Sequence, residues 1–150
     1  MSERARRRRI PGHAEWRGYE NDLDVKWAHD LLFGKSIDEV QGLFGENRSI
    51  ERADELLFMP RIPFQYYVLA FAKFVTSEAA RGDSDSASSF LNLLIGREER
   101  DPGSVAQIAE ELADAVEFVA SRQQWFDAKP EIYGSFKAKE QRLRQLIGPQ

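Results

Sequence analysis

Hydrophobic residues recur with helical spacing along most of the chain, most clearly over residues 61–81. One face of this stretch carries an apolar stripe made of Phe64, Tyr67, Val68, Phe71, Phe74 and Val75. Pro63 marks the start, because proline at the first helical position loses no needed N–H group. The opposite face is half-apolar, with Tyr66 and Leu69 among polar residues. A helix of this kind lies in the middle of a bundle, so we predict a central helix over residues 63–81.

The same spacing predicts helices on both sides of this one. The first runs from Asp22 to Phe33 with Asn21 as its N-cap. Its expected buried stripe comprises Leu23, Trp27, Leu31 and Leu32. The clearest period begins at Ser104 and continues to about Phe126, and no segment shows the alternation of a strand. We therefore predict an all-α fold, a single-domain irregular bundle of six or seven helices around the central aromatic-rich helix.

Charge is unevenly distributed along the chain, whose net charge is −4. Residues 1–17 contain six arginines and two glutamates, giving +4, so the remaining residues carry −8. We expect a flexible basic arm over residues 1–17 and one α-helical domain over residues 18–150. The acidic domain is compatible with a basic protein partner. The arm is either a solubilising tail or a nucleic-acid contact, made through Arg4, Arg6, Arg7, Arg8 and Arg9.

The residue types present exclude several kinds of chemistry. The chain has no cysteine, which excludes disulfides, thiol nucleophiles and cysteine-based metal sites. His29 and Asp30 form the dyad of metal-dependent phosphohydrolases, but the other histidine, His13, lies in the basic arm. The sequence has no G-x-S-x-G elbow and no glycine-rich phosphate loop. We therefore assign no catalytic, cofactor-binding or metal-binding residue.

Hydropathy predicts no contact with a membrane. No apolar run approaches the ~20 residues that a membrane helix needs. The basic start is followed by Pro11 and Gly12 and not by an apolar segment, so we expect no secretory signal. The expected location is cytoplasmic.

Two groups of carboxylates offer one route to an enzyme. Acids three or four residues apart share a helix face, and they occur as Glu51, Asp54 and Glu55, then as Glu110, Glu111 and Asp114. Two such faces can chelate magnesium and a substrate phosphate. The pattern resembles that of all-α nucleoside-triphosphate pyrophosphohydrolases, which carry E-x-x-E and E-x-x-D pairs on adjacent helices. Here the first pair ends in aspartate, the separation is longer, and no basic cluster accompanies the acids.

The helix that begins at Ser104 combines acidic and aromatic residues on its polar face. Phe118 and Trp125 fall on one line of that face. The acids around them are Glu110, Asp114 and Glu117. Like charges this close on one helix are unfavourable unless a cation compensates them. An aromatic anchor ringed by acids has the composition of an interface for a basic protein.

Two other interpretations of these surfaces stay open. The last helix could cover the acidic face and neutralise it with Lys137, Lys139 and Arg142. The strip formed by Tyr66 and Leu69 on the central helix is a second interface candidate, for a partner or for a homodimer.

The run from Pro60 to Phe71, with Ser84-Asp85 and the segment 90–94 after it, resembles part of a group of small, largely uncharacterised bacterial α-helical proteins. Some of those are similar to immunity proteins encoded beside polymorphic toxins. The similarity covers about residues 60–94 and consists of core-type residues. It implies a fold and a genomic setting and transfers no catalytic residue.

The predicted function is a non-enzymatic protein-binding domain of the immunity type. It neutralises a cognate bacterial toxin, expected to be basic, by covering it. Electrostatic complementarity would speed the capture of such a toxin. The first alternative is the magnesium-dependent nucleotide pyrophosphohydrolase. The second is a nucleic-acid accessory protein that acts through the arginine-rich arm.

Overall fold

Helices account for all the regular secondary structure of residues 9–148, the part of the chain that the computed structural model describes. The α-helices are α1 (Leu23–Leu32), α2 (Ile37–Val40), α3 (Ser49–Phe58), α4 (Arg61–Val75), α5 (Ser84–Arg100), α6 (Ala109–Ala120), α7 (Pro130–Tyr133) and α8 (Phe136–Ile147), and short 3₁₀ helices make up the rest. Within this part of the chain α2 and α7 are short turns, and the other six helices span ten residues or more. The predicted single-domain all-α bundle is confirmed.

Helix α4 is central, as its periodicity predicts. It contacts α2, α3, α5 and α6, and every member of the predicted apolar stripe is buried. The helix ends at Val75 and not near residue 81. The hydroxyl of Thr76 donates to the carbonyl of Ala72 at 2.9 Å, and the hydroxyl of Ser77 donates to the carbonyl of Phe74 at 2.6 Å. These side-chain bonds satisfy the last carbonyls of the helix and let the chain turn away.

A buried carboxylate sets the start of α6. The side chain of Glu98, on α5, accepts hydrogen bonds from the amides of Gly103 at 2.7 Å and Val105 at 2.8 Å. Gly103 adopts a φ of 99°, which favours glycine. Because the Glu98 carboxylate binds these amides, the chain turns first, and α6 begins at Ala109 and not at Ser104 as predicted.

The segment before α1 belongs to the domain. Trp16 is fully buried, with its indole edge-on to His29 at 5.2 Å between ring centroids and packed on Tyr67 at 6.2 Å. The basic arm predicted for residues 1–17 is therefore too long, because its second half supplies a large core side chain. One apolar residue outweighs the polar composition around it, since burying an indole stabilises the fold substantially.

Most of the arginine cluster lies outside the described residues. This applies to Arg4, Arg6, Arg7 and Arg8. Arg9 is described, and its guanidinium lies 3.8 Å from the carboxylate of Glu15. The predicted nucleic-acid contact through the arm therefore stays a prediction.

Candidate protein-binding surfaces

The acidic residues predicted to bind a partner lie exposed along α6. They are Glu110, Asp114 and Glu117. Within residues 9–148 none of the three forms an ion pair. The cations of α8 pair elsewhere, Lys137 with Glu140, Arg142 with Glu99 and Lys139 with Asn92. Helix α8 therefore leaves the acidic face open, and the interpretation in which the last helix neutralises it is wrong.

The two aromatic residues of this surface do not lie on one helix. Phe118 is on α6, but Trp125 follows the end of the helix at Ala120, so the helix is shorter than predicted. The rings pack edge to face with 5.5 Å between centroids, and both are half-buried. The guanidinium of Arg122 lies 4.0 Å from the Phe118 ring centroid, and that of Arg81 lies 5.9 Å from the Trp125 centroid. The chain's own arginines partly cover this pair.

A groove of about 670 Å³ separates α4 from α6. Its apolar lining includes Leu69, Ala72, Ala115 and Phe118, and its acidic lining includes Asp38, Glu111 and Asp114. At one rim the ammonium of Lys73 lies 2.6 Å from the carboxylate of Asp38. The fold thus brings three predicted partner-binding residues, Leu69, Asp114 and Phe118, into one groove from two separate stretches of sequence.

Tyr66 belongs to the core and not to an interface. Its side chain is 4% exposed and packs edge to face on Tyr67 at 4.8 Å. The phenol oxygen accepts a hydrogen bond from the amide of Ile37 at 3.1 Å. The prediction that Tyr66 binds a partner is therefore wrong, because α2 covers that face of α4. Leu69 is half-buried and reaches the groove.

Replacing Tyr66 by phenylalanine is expected to lower the free energy of unfolding by about 1 kcal/mol. The change removes the acceptor for the amide of Ile37, at the start of α2, while keeping the ring contact with Tyr67. Urea denaturation measures the difference. Tyr19→Phe is the matched control, because the Tyr19 ring stacks on His29 at 3.7 Å and its hydroxyl makes no hydrogen bond within residues 9–148. Equal effects of the two changes would contradict the role given to the Tyr66 hydroxyl.

Helix α1 buries only part of the predicted stripe: Leu32 is buried and Leu31 packs partly against the core, whereas Leu23 and Trp27 do not. Leu23 is 70% exposed and Trp27 is 66% exposed. The buried residues of α1 are Val25, Ala28, His29 and Leu32. The helix carries two apolar stripes, and the packing of Trp16 on His29 selects the second. The spacing of this stripe, i, i+3, i+4 and i+7, is the signal in the sequence that identifies it.

The exposed Trp27 borders an acidic cleft of about 350 Å³ between α1 and α3. The cleft is lined by Asp24, Trp27, Glu51, Asp54 and Glu55. Two of the carboxylates pair with nearby arginines at 3.0 Å, Glu51 with Arg48 and Glu55 with Arg52. Asp24 and Asp54 form no ion pair within the part of the chain that the structure describes. The cleft therefore holds uncompensated negative charge beside an exposed indole, a combination that sequence periodicity missed.

The pKa of Glu55 reflects this electrostatic environment. Burial raises the pKa of this carboxyl above its ordinary value, and Arg52 lowers it. Three neighbouring carboxylates raise the pKa further, Glu51, Asp24 and Asp54. Negative charge in this cleft is therefore only partly balanced by the arginines of the chain.

The acidic groups considered for magnesium line separate grooves. Glu51, Asp54 and Glu55 line the cleft between α1 and α3, whereas Glu111 and Asp114 line the groove between α4 and α6. Among residues 9–148 no group of three or more histidine, cysteine, aspartate or glutamate residues is placed to hold a metal ion. The facing arrangement expected for the pyrophosphohydrolase alternative is thus not formed by these residues.

Comparisons with known proteins assign no family to this chain. No protein-family model, no curated protein and no solved structure matches it. None of the helices in residues 9–148 is long and apolar enough to cross a membrane. The functional interpretation therefore depends on the two acidic surfaces described above.

Proposed function

We propose that this protein is a non-enzymatic binding protein of the immunity type, which neutralises a basic toxin domain by covering it. The groove between α4 and α6 supports the proposal. Asp114 lines this groove together with the apolar side chains of Leu69 and Phe118. It has no cationic partner within residues 9–148. An apolar floor with an acidic rim is the composition of an interface for a basic protein.

Electrostatics favours the association of α6 with a cationic surface. Glu110, Asp114 and Glu117 lie three or four residues apart, and like charges at this spacing destabilise a helix by about 0.2–0.5 kcal/mol per pair. A basic partner would relieve that repulsion on binding. The same charges would attract the partner before contact and raise the association rate. The resemblance of residues 60–94 to immunity-like sequences indicates which class of basic partner to test.

The partner to test is the toxic domain encoded by a toxin gene beside the gene for this protein. Asp114→Lys is expected to lower the association rate with that domain about tenfold at low salt, because it reverses a charge at the groove. Phe118→Ala is expected to raise the dissociation rate about tenfold, because it removes apolar contact from the groove. Surface plasmon resonance separates the two rates, and a growth assay measures protection of cells that produce the toxin.

Glu131→Lys is the matched control, because it makes the same charge reversal at an exposed residue of α7 that does not line the groove. We expect it to change both rates less than twofold. If Asp114→Lys and Glu131→Lys slow association equally, the attraction is general and the groove is not the interface. If the toxic domain neither binds nor is neutralised, the proposed function is wrong.

A further inference from the structure

The most exposed tryptophan of the described residues lies outside the surface proposed above. Trp27 and Leu23 are neighbours one turn apart on α1, and both stand away from the core. Two large apolar side chains left side by side in water form a patch that favours being covered. What covers this patch is constrained by the acidic cleft beside it.

The carboxylates next to Trp27 favour a cationic occupant. Asp24 and Asp54 carry negative charges with no cation paired to them within residues 9–148. A neutral apolar group placed against Trp27 would remove water from both carboxylates without replacing its hydrogen bonds, which is costly. A cation would stack on the indole face and also pair with the carboxylates.

Other aromatic rings of this fold show how an arginine is accommodated. A guanidinium lies within 5.9 Å of four ring centroids, those of Phe58, Phe64, Phe118 and Trp125. No cation within residues 9–148 lies over Trp27, because Arg48 and Arg52 are held by Glu51 and Glu55. Trp27, the most exposed of the tryptophans, thus lacks the guanidinium that these four rings have.

Arginine fits this cleft better than lysine does. A guanidinium is planar, so it can lie flat on the indole while its edge donates to two carboxylates. An ammonium is more strongly hydrated and cannot stack in this way. The cleft volume of about 350 Å³ lies at the small end of ligand sites and suits one long side chain.

We propose that the cleft between α1 and α3 binds an arginine side chain of a basic segment in a partner protein, stacked on Trp27 and paired with Asp24 and Asp54. The electrostatics of Glu55 agree, because a cation bound here would compensate the carboxylates that raise its pKa. The cleft shares no lining residue with the groove between α4 and α6. Each surface can therefore be tested without the other.

Two fluorescein-labelled nonapeptides test the proposal with the full-length protein. One contains three arginines separated by Gly-Ser pairs, and the other contains lysines at the same positions. Fluorescence anisotropy at low salt gives the dissociation constants. We expect the arginine peptide to bind about threefold more tightly than the lysine peptide, as exposed cation–π contacts imply.

Three variants locate the binding site. Trp27→Ala is expected to weaken binding of the arginine peptide about tenfold and to abolish its tighter binding relative to the lysine peptide. The double change Asp24→Asn with Asp54→Asn is expected to weaken the binding of both peptides about tenfold. The pair Glu46→Gln with Glu131→Gln removes the same number of charges at exposed positions that line neither the cleft nor the groove, and it is expected to change binding less than twofold.

Several results would overturn this proposal. They are no binding of the arginine peptide, unchanged binding after Trp27→Ala, or equal weakening by the two charge-removing pairs, which would indicate general attraction. A further variant replaces Arg4, Arg6, Arg7 and Arg8 by glutamine. If the peptide binds this variant but not the natural sequence, the chain's own arm occupies the cleft, and a partner's arginine is not the occupant.

Discussion

Replacing Arg97 by methionine is expected to lower the free energy of unfolding by about 3–5 kcal/mol, a large part of the stability of an ordinary domain. Its guanidinium is nearly inaccessible and donates through Nη1 to the carbonyls of Leu56, Leu57 and Met59, at 3.1, 3.0 and 2.6 Å. Through Nη2 it donates to the carboxylate of Asp101 at 3.2 Å.

These carbonyls stand at the end of α3, where no continuing helix supplies amides because Pro60 has no N–H group. Arg97 therefore joins α5 to the C-terminal end of α3, whose dipole also favours a cation. Methionine keeps an apolar stem but loses the guanidinium, which lies 4.5 Å from the Phe64 ring centroid, so the expected loss comes mainly from carbonyls left without donors and in part from this cation–π contact. Chemical denaturation measures the change in the free energy of unfolding.

Arg100→Met is the matched control on the same helix. Arg100 is exposed, and its guanidinium lies 4.6 Å from the Phe58 ring centroid. Its loss should cost less than about 1 kcal/mol, the value of an exposed cation–π contact. Arg97→Lys should fall between the two, because one ammonium cannot reach three carbonyls and Asp101 in the same geometry. A loss for Arg97→Met no larger than for Arg100→Met would contradict the role of Arg97 as a link between α3 and α5.

The sequence was sufficient to predict a helical bundle, because apolar residues in its main helices recur with the period of an α-helix. In α4 a strong apolar stripe predicts a central position in the bundle, and every residue of that stripe is buried. Helix ends were less predictable, since side chains outside the standard capping positions set them. Glu98 determines the start of α6 by binding the amides of Gly103 and Val105, and no local pattern around Ser104 shows this.

The candidate surfaces were predictable only in part. The exposure of Asp114 follows from its place on the polar face of an amphipathic helix. The burial of Tyr66 and the exposure of Trp27 do not follow, because α1 and α4 carry apolar residues on more than one face and contacts from elsewhere in the chain decide which face is covered. Helix α2 covers Tyr66, whereas Trp16 packs on the opposite side of α1 and leaves Trp27 in solvent.

Replacing Trp16 by alanine is expected to lower the free energy of unfolding by about 3–5 kcal/mol, the usual cost of deleting a buried large aromatic side chain. Trp16 is fully buried and packs against His29 on α1 and Tyr67 on α4. Its loss would leave a cavity between these helices that a rigid bundle can close only in part. Trp16→Phe should cost less, because it keeps a ring and removes an indole N–H that has no acceptor within residues 9–148.

Trp27→Ala makes the same change at an exposed tryptophan and should alter the free energy of unfolding by less than about 0.5 kcal/mol. Urea denaturation of the three variants measures the difference, and equal losses for Trp16→Ala and Trp27→Ala would show that the segment before α1 is not part of the folded domain.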